Sequence, residues 1–337
     1  MIMLKQRRIE FIDLAKGITI LIIALTHTYG DSGGFFMEIF SIFKVPTFFA
    51  LSGIFFKTYE STCVFLKKKI NQLVIPLVFT YLFLSLPWNI LLELYSGHGL
   101  SITNLIFMSG TNRLNFGMAP GAWFVLCLLF IEIFFYCLFI IFRENVIVIS
   151  FVAFVAGISG YLLNVYGISI PLWVDSALTS MPFFLFGLLI GRYSSVLKSE
   201  MLSTYWLVWA FSSLIFLYCI FLLGDGEIFY AGNRYSVNVI FLFVGGAAGI
   251  LIVLLLSKAI NTLPLVSFIG RHSLIMLLTH QLYLFFLRNI VYQLNIQQDN
   301  YFVSFILFVI VVLLSFPTIH FCKKYLPWAF GLKNVVK

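Results

Sequence analysis

The sequence predicts an all-α integral membrane protein with about ten transmembrane helices. Of its 337 residues, 61% are hydrophobic and only 10% are charged, whereas a soluble domain carries about 25% charged residues. A mean hydropathy of +1.05 excludes a soluble globular enzyme, a disordered protein and a nucleic-acid-binding domain. Strands of a membrane β-barrel alternate apolar and polar residues, but the apolar runs of this chain are apolar on every face.

Ten stretches have the roughly 20 apolar residues that a helix needs to cross the hydrocarbon core. Polar or glycine-containing breaks separate them, as expected for connecting loops. In chain order they cover residues 11–29, 38–56, 70–95, 121–142, 146–165, 174–191, 205–223, 237–256, 268–291 and 302–322. An even number of spans puts both termini on the same side of the membrane.

The basic residues predict the orientation. With a cytoplasmic N-terminus, 16 of the 21 Lys and Arg residues lie in inner segments, and only Arg113, Arg234 and Arg288 lie in outer loops or at the outer edge. Cytoplasmic loops are enriched in Lys and Arg, so we expect both termini in the cytoplasm and a multi-pass protein of the cell membrane. The first apolar stretch lacks a small-residue cleavage site, which favours an uncleaved span over a signal peptide.

The first span concentrates ionisable residues: Glu10, Asp13, Lys16 and His27. An Asp, Lys or Arg at mid-helix costs at least ~2.5 kcal/mol, so such residues indicate function. Lys16 and His27 are three helical turns apart, which puts them on one face at a separation of about 16 Å. Asp13 lies on nearly the same face and is positioned to pair with Lys16. One alternative is that Glu10, Asp13 and Lys16 only mark the cytoplasmic end of the helix. For His27, the alternative is a buried histidine whose hydrogen bonds are satisfied by a neighbouring span.

The second span contains a proline and two small residues. Pro46 predicts a kink, and Ser52 with Gly53 predicts close helix packing or a polar lining. Lys44 is interpreted as a side chain that extends outward to the membrane surface. The outer loop over residues 96–120 is longer than a simple connector and more typical of a functional loop.

Other spans carry weaker signals. Trp123 begins the fourth span, where an aromatic side chain commonly anchors a helix at the interface. Arg192 ends the sixth span, and Arg271 begins the ninth. Ser273 and His280 are seven residues apart and share one face of the ninth span. The chain contains no nucleotide-binding glycine loop, no HExxH and no GxSxG, and its five histidines have no metal-ligand spacing.

Five motifs in order resemble the membrane-bound acyltransferase family 3. Lys16 and His27 reproduce the family's pattern of a basic residue, a ten-residue gap and a histidine, and Lys16 lies within RIEFIDLAKGI. The further matches are FKVPTFFALSG at 43–53, AWF at 122–124, MPFFLFG at 181–187 and IGRHSLIMLLTH at 269–280. Many members carry Arg in place of Lys16, and the FIDLAKG form is similar to the subgroup that acetylates fucose.

The resemblance implies an enzyme that moves an acyl group onto a hydroxyl of a surface polysaccharide or its lipid-linked precursor. It implies acyl-CoA as co-substrate, most often acetyl-CoA, with no permanently bound cofactor and no metal. His27 would act as general base or as acyl carrier, assisted by Lys16 and Asp13. We expect one transmembrane domain over residues 1–337, with a core of about 7–322 and no appended soluble domain.

The anionic donor calls for a basic cytoplasmic surface. The predicted phosphate-binding residues are Lys67, Lys68, Lys69, Arg143, Arg192 and Arg271. The alternative is that each of them is only a signal of membrane topology. Candidate donors to the developing oxyanion are Ser52, Trp123, Ser273 and His280. Two alternatives stay open: a different acyl group, such as succinyl, and a transporter or exporter of a glycan or small molecule. The partners expected are acyl-CoA, a glycan and the lipid bilayer, with no nucleic acid.

Overall fold

The computed structural model describes residues 9–30, 34–59, 61–96, 101–108, 113–193, 203–223, 226–297 and 300–336. In these residues the chain is almost entirely helical, which confirms the predicted all-α class. The described strands form one short antiparallel hairpin, in which β1 (Ile228–Phe229) pairs with β2 (Arg234–Tyr235) across a 3₁₀ turn at Tyr230–Gly232.

The helices follow the apolar runs of the sequence. They are α1 (Glu10–Tyr29), α2 (Gly34–Ser41), α3 (Lys44–Ile54), α4 (Thr62–Lys69), α5 (Ile75–Thr80), α6 (Leu86–Ser96), α7 (Ile102–Ile106), α8 (Ala122–Ile141), α9 (Val146–Val165), α10 (Val174–Tyr193), α11 (Ser203–Leu223), α12 (Val239–Ile260), α13 (Pro264–Arg271), α14 (Ser273–Gln293) and α15 (Tyr301–Tyr325). Two π-helical segments, Ile70–Val74 and Tyr81–Ser85, join α4, α5 and α6 into one long helix, and a 3₁₀ turn at Pro171–Trp173 precedes α10.

Nine of the ten predicted spans are confirmed among the described residues. Nine helical stretches there are long and apolar enough to cross a membrane. The remaining prediction, residues 205–223, coincides with α11, whose apolar part is counted only over Trp206–Ile220. The crossing by α11 therefore stays a prediction, and so does the cytoplasmic position of the termini.

The second span is broken before its proline rather than kinked at it. Helix α2 ends at Ser41 and α3 begins at Lys44, so Pro46 lies in the first turn of α3. A proline is tolerated there because the first backbone N–H groups of a helix have no acceptor within the helix. The expected kink is therefore replaced by a helix start. Gly53 of α3 packs against α10 as predicted, since a Cβ on Gly53 would overlap the backbone oxygen of Phe184.

The third span begins earlier in the chain than the sequence predicts. Its helix starts at Thr62 rather than at residue 70 and continues to Tyr95. The start is set by Ser61, whose hydroxyl accepts a hydrogen bond from the backbone N–H of Val64 at 3.3 Å. A serine N-cap of this kind satisfies a backbone donor that the helix leaves open. The run of three lysines, which precedes the predicted span, is consequently helical.

The ninth predicted span is two helices. Helix α13 ends at Arg271 and α14 begins at Ser273, with His272 between them. Helix α13 packs against α1 so closely that a Cβ on Gly270 would overlap the backbone oxygen of Asp13. Helix α1 is surrounded by α3, α12, α13, α14 and α15, so the helix with the most ionisable residues lies inside the bundle.

Candidate active site

The last turn of α1 opens onto a cavity of about 340 Å³ at one end of the bundle. His27 lies in that turn, and its side chain has accessible surface on the cavity. Glu38 of α2, Lys44 of α3, Trp123 of α8 and the β1–β2 hairpin form much of the remaining wall. These helix ends and this hairpin are the ones that the predicted topology puts on the outer side. We call this space the His27 cavity.

A second imidazole lies directly beside that of His27. The ring centroids of His27 and His280 are 5.4 Å apart, although the two residues are 253 positions apart in the sequence. His280 is only 1% exposed, and its Nδ1 lies 2.9 Å from the backbone oxygen of Met276. That contact favours the tautomer with the proton on Nδ1, which leaves Nε2 as an acceptor. Within the described residues, this buried Nε2 has no hydrogen-bond partner.

Lys44 points into the bundle, not outward to the membrane surface as expected. Its Nζ donates a hydrogen bond to the hydroxyl of Thr26 at 3.1 Å, one residue before His27. The hydroxyl of Thr26 in turn donates to the backbone oxygen of Ile23 at 2.9 Å. The lysine therefore adds a positive charge to the wall of the His27 cavity. In the sequence, Lys44 is a charge inside an apolar run. Such a charge also indicates a position inside the bundle, which is the one that the structure shows.

An arginine from α14 joins the two histidine-bearing helices. Nη2 of Arg288 donates hydrogen bonds to the backbone oxygens of His27 at 2.9 Å and Thr28 at 3.3 Å. The last carbonyl groups of a helix receive no hydrogen bond from within the helix. A basic side chain at that position also complements the helix dipole. Arg288 thereby fixes the end of α1 against α14, the helix that carries His280.

A buried ion pair that the sequence did not predict supports the same end of the bundle. Nη2 of Arg113 lies 2.7 Å from Oδ2 of Asp175, with side-chain exposures of 9% and 1%. The same guanidinium also donates to the backbone oxygens of Ala231 and Gly232 in the hairpin. The pair ties the loop before α8 to α10 and to the β1–β2 hairpin. In the sequence, Asp175 is an acidic residue inside an apolar run, and this position indicates a buried partner of opposite charge.

Two of the four predicted oxyanion donors lie away from the His27 cavity. Ser52 is eight residues along α3 from Lys44, about 12 Å at the helical rise, and its hydroxyl donates to the backbone oxygen of Phe48 at 2.9 Å. Ser273 is seven residues from His280, about 10 Å along α14. Helical rise therefore carries both serines away from the described lining of the His27 cavity, and a contact between them and the reacting group stays a prediction. Trp123 and His280 do lie at the site.

Lys16 lies in the N-terminal half of α1, away from the His27 cavity. Its Nζ lies 5.2 Å from the centroid of the Phe55 ring, which follows the end of α3. Asp13 is half-buried on the same helix, and its pairing with Lys16 stays a prediction. Lys16 and His27 are separated by eleven residues of continuous helix, which is about 16 Å. The structure therefore places these two predicted residues in different halves of α1.

The three consecutive lysines do not form one surface. Lys67 and Lys68 are exposed, but Nζ of Lys69 lies 2.7 Å from Oε2 of Glu132, and both side chains are only 8% exposed. The charge of Lys69 is thus paired inside the protein with Glu132 of α8, and its role toward phosphate stays a prediction. Glu132 is the lone acidic residue of the fourth apolar run, and this position alone indicates a buried partner of opposite charge.

The predicted arginines lie on the same half of the molecule as Lys16. Arg192 stacks on Phe139, with its Cζ 4.4 Å from the ring centroid. Arg271 is exposed, and its Cζ lies 6.0 Å from the ring of Phe268. Nζ of Lys323, which sequence reasoning did not select as a site residue, lies 5.5 Å from the same ring. Two cations therefore flank Phe268, while Arg143 is exposed in the turn after α8.

The fold and site together define a multi-pass helical membrane protein with a paired-imidazole cavity at one end of its bundle. Residues 9–320 match acyltransferase family 3, whose conserved region is described as an acyltransferase domain. The match covers almost the whole chain, so the chain belongs to this family and is an acyltransferase. No curated protein and no solved structure gives a significant match.

Proposed function

We propose that this acyltransferase moves an acetyl group from acetyl-CoA to a hydroxyl of a cell-surface polysaccharide or its lipid-linked precursor, at the cell membrane. His27 is the general base. The observation that carries this proposal is the position of the His27 imidazole, which lies beside the buried ring of His280 and is itself exposed at a cavity lined by charged side chains.

The chemistry requires a free imidazole nitrogen and no metal. The acceptor oxygen attacks the thioester carbonyl carbon while His27 takes the hydroxyl proton, and the carbon–sulfur bond then breaks. CoA leaves as the thiolate, which takes up the proton from the imidazolium. In the described part of the chain, neither ring nitrogen of His27 is hydrogen-bonded to protein, which supports a role toward substrate. Attack by the imidazole itself, through an acyl-histidine, uses the same residue.

Negative charge develops on the thioester oxygen during this attack. The ammonium group of Lys44 and the indole N–H of Trp123 belong to residues that line the cavity, and both are suitable donors to such an oxygen. His280 positions the base, because its buried ring packs against that of His27. The low polarity of the surrounding bundle strengthens each of these electrostatic contributions.

The donor would enter from the end of α1 that carries Lys16. The exposed basic residues at that end, Lys67, Lys68, Arg271 and Lys323, supply charges suited to the phosphates of CoA. The pantetheine arm would then run along α1 from Lys16 toward His27, over a distance of about 16 Å. In this proposal the basic residue and the histidine act on the two parts of one donor molecule, at points about 16 Å apart along α1.

The test compares surface glycan from cells that carry wild type, His27→Ala or a control variant, His320→Ala. His320 is an exposed residue of α15 whose ring stacks on Phe268, away from the His27 cavity. We expect His27→Ala to insert at wild-type levels and abolish O-acetylation, measured by mass spectrometry and NMR, while His320→Ala retains it. Normal acetylation by His27→Ala would remove the mechanism. Loss of glycan from the surface, with no change in its acetylation, would indicate an exporter.

A further inference from the structure

A second cavity adjoins the His27 cavity on the hairpin side. Its volume is about 450 Å³, which lies in the range of roughly 300–1,000 Å³ typical of small-molecule sites. Trp123, Phe229, Ala231 and Arg234 line both cavities, so the two spaces share a wall. We call the second space the hairpin cavity. It is close enough to His27 for one extended ligand to occupy both spaces.

Aromatic rings make up much of the hairpin cavity. Trp173 and Phe116 line it and stack on one another, with centroids 5.4 Å apart and planes 19° from parallel. Phe229 contributes a third ring that is 43% exposed. Flat aromatic faces contact the C–H face of a sugar ring over a large area, and few polar groups are then needed to fix its hydroxyls.

The backbone around Trp173 is strained where it forms this wall. Leu172 and Trp173 both have a φ of 60°, which is rarely adopted by bulky residues. The indole N–H of Trp173 donates to the backbone oxygen of Ala231 at 2.8 Å, and its ring faces the guanidinium of Arg113. Strain of this kind persists only where surrounding contacts impose it, and it is concentrated at functional sites.

The polar groups of the cavity are divided between scaffold and rim. Arg113 is occupied by Asp175 and by two hairpin carbonyl groups, so it holds the wall in place. Arg234 lies at the rim, 62% exposed, and pairs at 3.1 Å with Glu227, which is 48% exposed. Its Cζ lies 5.0 Å from the centroid of Phe229. An exposed cation beside an exposed ring offers stacking and hydrogen bonding together.

We propose that the hairpin cavity binds the sugar unit next to the one that is acylated, with Phe229 as the stacking surface and Arg234 as the hydrogen-bond donor. This inference rests on the proposed function and extends it: the acceptor is a glycan chain of at least two sugars. Binding energy from the second sugar holds the reacting hydroxyl at His27, so truncating the acceptor lowers the rate as well as the affinity.

The test uses purified protein in lipid nanodiscs with acetyl-CoA and two acceptors. These are mono- and disaccharide fragments prepared by partial acid hydrolysis of the glycan from cells that lack this chain. Release of CoA thiol and the mass of the product are measured for wild type, Phe229→Ala, Phe229→Tyr and Arg234→Ala. Phe151→Ala, a change at a 70% exposed ring on α9, is the matched control.

We expect wild type to prefer the disaccharide by about tenfold or more in kcat/KM. Phe229→Ala and Arg234→Ala should each lower the disaccharide value more than the monosaccharide value, so that the preference for the disaccharide narrows. Phe229→Tyr and Phe151→Ala should keep the preference. Equal wild-type values for the two acceptors, or equal losses on both in Phe229→Ala, would overturn the second subsite and leave the proposed function intact. Failure of wild type to acetylate either fragment would instead overturn the glycan acceptor itself, and this inference with it.

Discussion

Lys69 forms a buried ion pair with Glu132, and variants of this pair distinguish a structural role of Lys69 from its predicted role in binding the acyl-CoA donor. The Nζ and Oε2 atoms of the pair are 2.7 Å apart, and both side chains are 8% exposed. Removing one partner of such a pair leaves an uncompensated buried charge and costs about 3–5 kcal/mol. We therefore expect Glu132→Leu alone to shift the folding equilibrium by about two to three and a half orders of magnitude, at 1.4 kcal/mol per factor of ten.

Replacing both partners should cost far less, because an apolar pair of similar volume leaves no charge behind. The free energy of unfolding, measured by denaturation in detergent micelles, should be nearly wild-type for Lys69→Met with Glu132→Leu. The exposed pair Arg234–Glu227 is the control, since breaking it with Glu227→Gln should cost no more than about 1 kcal/mol.

The same double variant tests the donor surface. It should retain the wild-type KM for acetyl-CoA, because the charge of Lys69 is already neutralised by Glu132. A large rise in that KM, with stability preserved, would refute this reasoning and return Lys69 to the phosphate-binding surface. If the double variant is as unstable as Glu132→Leu alone, the ion pair contributes more to the free energy of unfolding than the mutual neutralisation of its two charges.

Variants at three further positions probe the two halves of α1 and its neighbours. Lys44→Met should lower kcat by about 10²–10³ without changing the KM for acetyl-CoA, and steady-state kinetics with an unchanged kcat would exclude Lys44 from oxyanion stabilisation. Lys16→Arg should retain much of the acetylation in cells and Lys16→Ala should lose most of it; equal activities would make Lys16 only a helix-end charge. Arg288→Ala should lower kcat, with partial recovery in Arg288→Lys, because the cap that holds the end of α1 against α14 is lost; wild-type kcat in the alanine variant would argue against this positioning role.

The sequence predicts the helices far better than it predicts their neighbours. Apolar length identifies nine of the spans because the bilayer demands it, and the spacing of Lys16 and His27 gives their common face because the helical period is constant. The boundaries that differ, at Ser61 and at His272, depend on a cap and on packing against α1.

Contacts between distant spans could not be predicted in the same way. The sequence predicts that His280 and Ser273 share a face and are candidate oxyanion donors. It does not predict that the ring of His280 packs beside that of His27. A single sequence gives the face of each helix but not the helix opposite. Lys44 and Glu132 were nevertheless available as charges in apolar runs, where the cost of burial already indicates a partner.

The most direct test of the account is the turnover of purified protein in nanodiscs, with acetyl-CoA and the unacetylated glycan, for wild type and His27→Ala. We expect thiol release by wild type to depend on the glycan and to yield one acetyl ester per CoA. The alanine variant should bind acetyl-CoA with similar affinity and form no ester. Ester formation by His27→Ala at the wild-type rate would show that this imidazole is not the group that drives the transfer.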